Sequence, residues 1–118
     1  MADVKTFISV KLQREFVHSY PDAPEEVSFL RESHRHMLHI QAEIEVFSDD
    51  RELEFIIVKR DLDSFLDTLN LTTSSKRSCE MVGRLILNYL TEEYGENRDV
   101  NITVSEDGEN GAIIKYTH

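Results

Sequence analysis

From Val4 to His18, the apolar residues Val4, Ile8, Val10, Leu12 and Phe16 fall on even positions and polar residues mostly on odd ones, with Phe7 and Val17 as exceptions. A period of two is that of a strand with one face buried. His34–Phe47 repeats the pattern: Leu38, Ile40, Ala42, Ile44 and Val46 share one face, opposite His39, Gln41, Glu43 and Glu45. Leu53–Val58 reads as a further short extended stretch. At Lys59–Leu69 the spacing of Leu62, Phe65, Leu66 and Leu69 changes to three and four residues, which predicts a helix. Ser78 is placed to cap a second helix, with Glu80 in its first turn and Met81, Val82, Leu85, Ile86, Tyr89 and Leu90 as its apolar stripe as far as Tyr94. Alternation then returns at Val100, Ile102 and Val104, with Glu106 next on the same face. Asp107–Gly111 reads as a hairpin loop closing onto Ala112–Tyr116.

Strands at both ends with helices between them predict an α+β fold, a four-stranded antiparallel sheet with two helices on one face in the order β-β-α-α-β-β. The predicted breaks are Ser19–Ser33, which holds both prolines (Pro21 and Pro24), the polar run Thr72–Arg77, and Gly95–Arg98. No repeat or linker divides the 118 residues, so residues 1–118 are expected to form a single domain.

Charge narrows the choice of partner. Thirteen basic against 23 acidic residues give a net charge of −10. That balance repels a phosphate backbone, so no nucleic-acid partner is expected. No apolar run reaches the roughly 18–20 residues of a membrane helix, and the start Met-Ala-Asp-Val-Lys lacks the features of a secretion signal. No membrane partner and a cytoplasmic setting are therefore expected. The single cysteine, Cys79, excludes an internal disulfide and a cysteine-rich zinc site.

The sharpest chemical feature is His34-Arg35-His36. Residues two apart on a strand point the same way, about 6.5–7 Å apart, so two imidazoles can converge on one ion. His18 has the parity of the buried face. It becomes a third candidate ligand if the first two strands pair antiparallel, since the loop between them then brings His18 beside His34. Three imidazoles leave one position of a tetrahedral ion open. The alternative is that these histidines are simply polar residues at strand ends. His39 points to the opposite face, toward the surface or an interface. Glu106 prolongs an apolar face, so its carboxylate is either a charged strand end or an acceptor for a flat N–H-rich ring such as guanine or a pterin. Cys79 is either a thiol made reactive by a helix N-terminus or a small buried residue.

Taken in order, these segments resemble the 6-pyruvoyl-tetrahydropterin synthase family, including its 6-carboxy-tetrahydropterin synthase branch, over nearly the whole chain. Phe16-Val17-His18 resembles the family's Phe-x-Ala-x-His segment, and His34-Arg35-His36 its His-Gly-His. Ile56-Ile57 followed by Leu62 resembles the lead into the first helix. Ser78-Cys79-Glu80 resembles the start of the second helix, and Val104-Ser105-Glu106 resembles the Val-x-Glu that holds the pterin ring. The resemblance implies the T-fold, assembled as a trimeric or hexameric homo-oligomer whose sheets close a barrel and whose sites lie at subunit interfaces. It implies Zn2+ on His18, His34 and His36, and a pterin or purine-like ligand on Glu106, Ser78 and Cys79.

The departures concern catalysis. Leu30 stands where the family has its cysteine, four residues before the first histidine of the pair. The Asp-His pair is missing from Asp67–Ser75, Val58-Lys59 replaces Asp-Phe, and Arg35 replaces glycine. Proton transfer at carbon needs a group that titrates near the working pH, which leucine is not. The expectation is therefore a diverged member that binds zinc and a pterin, purine or nucleotide without the full catalytic machinery. The alternatives are an active zinc-dependent lyase acting on dihydroneopterin triphosphate, with Cys79 or His39 as substitute catalytic groups, and a structural or interaction protein that kept only the fold.

Overall fold

Two thirteen-residue strands, β1 (Thr6–His18) and β2 (His34–Val46), pair antiparallel in unbroken register from Thr6 opposite Val46 to His18 opposite His34. The computed structural model describes residues 3–73 and 75–118. Met1 and Ala2, from the start read for signal features, and Ser74, from the predicted 72–77 loop, lie outside the described residues. β3 (Val100–Glu106) and β4 (Asn110–Tyr116) complete a four-stranded antiparallel sheet in the order β1-β2-β3-β4. Helices α1 (Phe55–Asp67) and α2 (Cys79–Tyr94) lie between the strand pairs in sequence.

The even-numbered strand residues form the core. Val10, Leu12, Phe16, Leu38, Ile40, Ala42, Ile44, Val100, Ile102 and Val104 are buried together with Val58, Leu62 and Leu66 of α1 and Val82, Ile86 and Leu90 of α2. Each fully buried side chain of this kind contributes about 1.5–3 kcal/mol. Phe65 and Tyr89 stack at 4.4 Å between ring centroids and tie the two helices together. Arg14 leaves the same face of β1 and reaches Asp63 (2.9 Å) and Asp67 (2.7 Å) of α1. At the far end of the sheet, buried Glu45 accepts the Asp99 backbone N–H at 2.9 Å.

Several boundaries differ from the sequence expectation: β1 begins at Thr6 rather than Val4, β2 ends at Val46 rather than Phe47, and α1 ends at Asp67 rather than Leu69. Leu53–Val58 is not an extended stretch, because α1 already begins at Phe55. The run Phe55-Ile56-Ile57-Val58 is apolar at every position and carries no period that separates strand from helix. The Glu54 carboxylate accepts the Ile56 backbone N–H at 3.0 Å and caps the helix. Only Val58 of that run is buried, four residues before Leu62, while Phe55, Ile56 and Ile57 are exposed. The loop Ser19–Ser33 contains a short 3-10 segment at Glu25–Leu30. The final strand begins at Asn110 rather than Ala112. Asp107 and Gly108 both take positive φ, 58° and 73°, and the Glu109 N–H closes the turn on the Glu106 carbonyl at 3.0 Å. Asp-Gly is a favoured pair for such a turn, because both central residues must have positive φ.

Candidate metal centre

His18, at the end of β1, is held on both sides. β2 places His34 directly across from it. On its outer edge the connection between α1 and α2 takes over: the Ser75 N–H donates to the Val17 carbonyl at 2.8 Å, and the Ser19 N–H donates to the Ser75 carbonyl at 2.9 Å. His36 sits two residues along from His34 on the same face. Glu106 pairs with Leu38 in the β2–β3 ladder, one diagonal step from His36.

This register gathers the three histidines. Ring centroids are separated by 4.4 Å (His18–His34), 5.4 Å (His18–His36) and 5.0 Å (His34–His36). One ring nitrogen from each lies within 4.8 Å of the others, and the three could together hold a metal ion. The Phe16 ring packs against His18 at 4.2 Å.

The hydrogen bonds orient the rings. His18 Nδ1 donates to the Arg77 carbonyl at 3.1 Å and His34 Nδ1 to the Glu32 carbonyl at 2.8 Å. His36 Nδ1 meets the Asp107 carboxylate, Oδ2, at 2.7 Å. Carbonyl and carboxylate oxygens only accept, so each Nδ1 carries a proton; in the neutral imidazole, the form that binds a metal, Nε2 then holds the lone pair. Nε2 of His18 and of His36 are buried with no hydrogen-bond partner. Glu106 Oε2 lies 2.7 Å from His36 Nε2 and 3.7 Å from His18 Nε2, but neither approach has hydrogen-bond geometry. A buried polar atom left unpaired costs about 1–3 kcal/mol, and ligation to a metal would satisfy both. The residues therefore fit a divalent ion bound through three Nε2 atoms.

Burial, first of all, lowers the pKa of His18, and the neighbouring His34 and His36 lower it further; the Arg77 carbonyl and Glu106 oppose the shift. The neutral form is the one a metal requires. Cys79 is shifted the other way. Burial, then the charge of Glu106, pushes its thiol up to about 12, the opposite of what a helix N-terminus alone predicts. Its Sγ sits 3.8 Å from Glu106 Oε1. Cys79 is thus a buried thiol and not a reactive thiolate near neutrality.

His18, His34, Glu106, Ser78 and Cys79 all line one cavity of about 780 Å³. Ser78 caps α2 as expected, accepting the Met81 N–H at 3.2 Å. His39 is not among these residues. It lies on the other face, where a Cβ on Gly108 would be 3.7 Å from its Nε2. It borders a larger, more open hollow of about 900 Å³ lined also by Lys11, Gln13 and Gln41. Among the described residues, no second cluster of metal-ligating groups accompanies that hollow.

Sequence reasoning missed Asp107, which read only as a turn residue, and the wall residue Tyr20, whereas Leu30, singled out in the sequence, does line the cavity. The available signal for Asp107 was its position directly after Glu106, in a turn that brings it back beside β2. Among the described residues, no helix is long and apolar enough to cross a membrane. Compared with protein-family models and with curated proteins, the chain matches none.

Proposed function

We propose that this chain is a diverged tetrahydropterin-synthase-like protein that holds zinc on His18, His34 and His36 and binds a pterin, purine or nucleotide-like ligand without turning it over. The observation that carries this reading is the common orientation of the three imidazoles. All three Nδ1 atoms are engaged by acceptors, and Nε2 is left to ligate, with His18 and His34 lining the same cavity as the Glu106 carboxylate and His36 set just outside its lining. Three neutral imidazoles suit zinc and leave one coordination position for an oxygen of the ligand.

Glu106 supplies the second half of the recognition. Its two carboxylate oxygens can accept adjacent N–H groups of a flat heterocycle, as a charge-assisted pair. A cavity of about 780 Å³ is within the range of small-molecule sites. Leu30 lines the same cavity and offers no proton where the resemblance expects a cysteine. The Cys79 thiol, held near 12, is a poor replacement near neutral pH. Both observations favour binding over the lyase reaction. The reading includes T-fold assembly. β1 and β4 are sheet edges, and Tyr20 and Met81 stand exposed beside the cavity where a second copy would cover them.

Calorimetric titration of the zinc-loaded protein with a pterin and with a guanine nucleotide tests the reading. Binding of one of them, weakened about 10- to 150-fold in Glu106→Gln, is expected, equivalent to the roughly 1.5–3 kcal/mol of a hydrogen bond to a charged group. Equal affinity in both proteins would remove Glu106 from the site. Turnover of dihydroneopterin triphosphate would favour the lyase instead.

A further inference from the structure

We propose that Asp107 is the positioning residue of this centre, holding His36 in the one tautomer that can ligate; the inference rests on the metal reading above. The Asp107 carboxylate faces two donors at once. Oδ2 meets His36 Nδ1 at 2.7 Å and Oδ1 accepts the Met37 backbone N–H at 2.9 Å. The backbone adds a third tie, because the Asp107 N–H donates to the Met37 carbonyl at 2.7 Å. Of the three histidines, His36 alone has its Nδ1 held by a side chain; the other two use backbone carbonyls that no substitution removes.

The two-donor arrangement needs a carboxylate, which is an acceptor at both oxygens. Asparagine has one acceptor and one donor. With its oxygen on the Met37 N–H, its amide would face His36 Nδ1 and favour the imidazole with the proton on Nε2, where no metal can bind. With its oxygen on His36, its amide would oppose the Met37 N–H. The turn itself would accept the change, since Asn-Gly suits two successive positive-φ positions at least as well as Asp-Gly. A purely structural role for Asp107 in the turn therefore predicts no loss in Asp107→Asn. A positioning role predicts loss of metal affinity with the fold intact.

Zinc affinity of wild type, Asp107→Asn and the neighbouring turn variant Glu109→Gln, measured by chelator competition at pH 8, separates the two. The expected result is a 10- to 100-fold weaker zinc complex in Asp107→Asn alone, the usual effect of removing a partner of a ligating histidine. Equal affinity in wild type and Asp107→Asn, or equal weakening in both variants, would overturn the proposal. A second arm needs no metal. Long-range nitrogen–proton NMR of the metal-free wild type should show His36 protonated on Nδ1, with the Nε2-protonated form gaining population in Asp107→Asn. A wild-type His36 protonated on Nε2 would overturn the proposal. Failure of the wild type to bind zinc, with His36 still protonated on Nδ1, would sink the metal reading and leave the action of Asp107 on His36 supported.

Discussion

His18 and His34 face each other across the β1–β2 ladder with their ring centroids 4.4 Å apart, the closest approach among the three histidines. Two imidazoles at that distance repel if both are protonated, and His18 is buried as well. Burial already disfavours the charged form of His18, and a shared cation would take the place of that proton.

Removing ligands should remove the metal. A His34→Ala/His36→Ala variant is expected to drop from one zinc per chain to a trace, because a single remaining imidazole does not make a site. Metal analysis of tag-free protein checks this. Unchanged zinc in the double variant would exclude these residues as ligands.

Acid should loosen the metal-free fold through His18. Its pKa is below the ordinary value of about 6.5 in the folded protein, so near and below that pH the unfolded chain binds more protons. The contribution is complete above about pH 6.5 and is lost as pH falls toward the folded value. Glu52, Asp99 and Asp107, whose carboxyls are held below the usual range by hydrogen bonds, act at lower pH. Urea midpoints from pH 8 to 5 should fall in the wild type and fall less in His18→Gln. Parallel profiles would assign the acid sensitivity elsewhere.

Phe16 underlies the centre and is fully buried in the core. Phe16→Ala should cost about 3–5 kcal/mol, the usual range for emptying an aromatic core position. Chemical denaturation measures it. A loss below about 1 kcal/mol would mean that the sheet collapses into the space.

Assembly is expected to bury the exposed Tyr20 and Met81. Multi-angle light scattering should give a trimer or hexamer, and Met81→Glu should lower the mass. A monomer at micromolar concentration would rule out a site completed by a neighbour.

Much of this arrangement was legible in the chain. The even-numbered rows of β1 and β2 gave the buried face directly, and the same parity placed His18, His34 and His36 together. Ser78 announced the start of α2. Where the pattern was silent, the cause is physical. Four consecutive apolar residues at Phe55–Val58 have no period, and a cap from Glu54 decided the outcome. The thiol of Cys79 followed burial rather than the helix end. Asp107 had only the weak signal of following Glu106, because its role depends on a turn folding back to β2, a distance of 71 positions from His36.

The three acceptors that orient the histidines belong to three different connections: Glu32 before β2, Arg77 before α2, and Asp107 between β3 and β4. An ion gripped by all three rings would act as a cross-link among segments far apart in sequence. Its release would free three loops together, so amide exchange at residues near 32, 77 and 107 should quicken in concert on chelation while the middle of β2 stays protected.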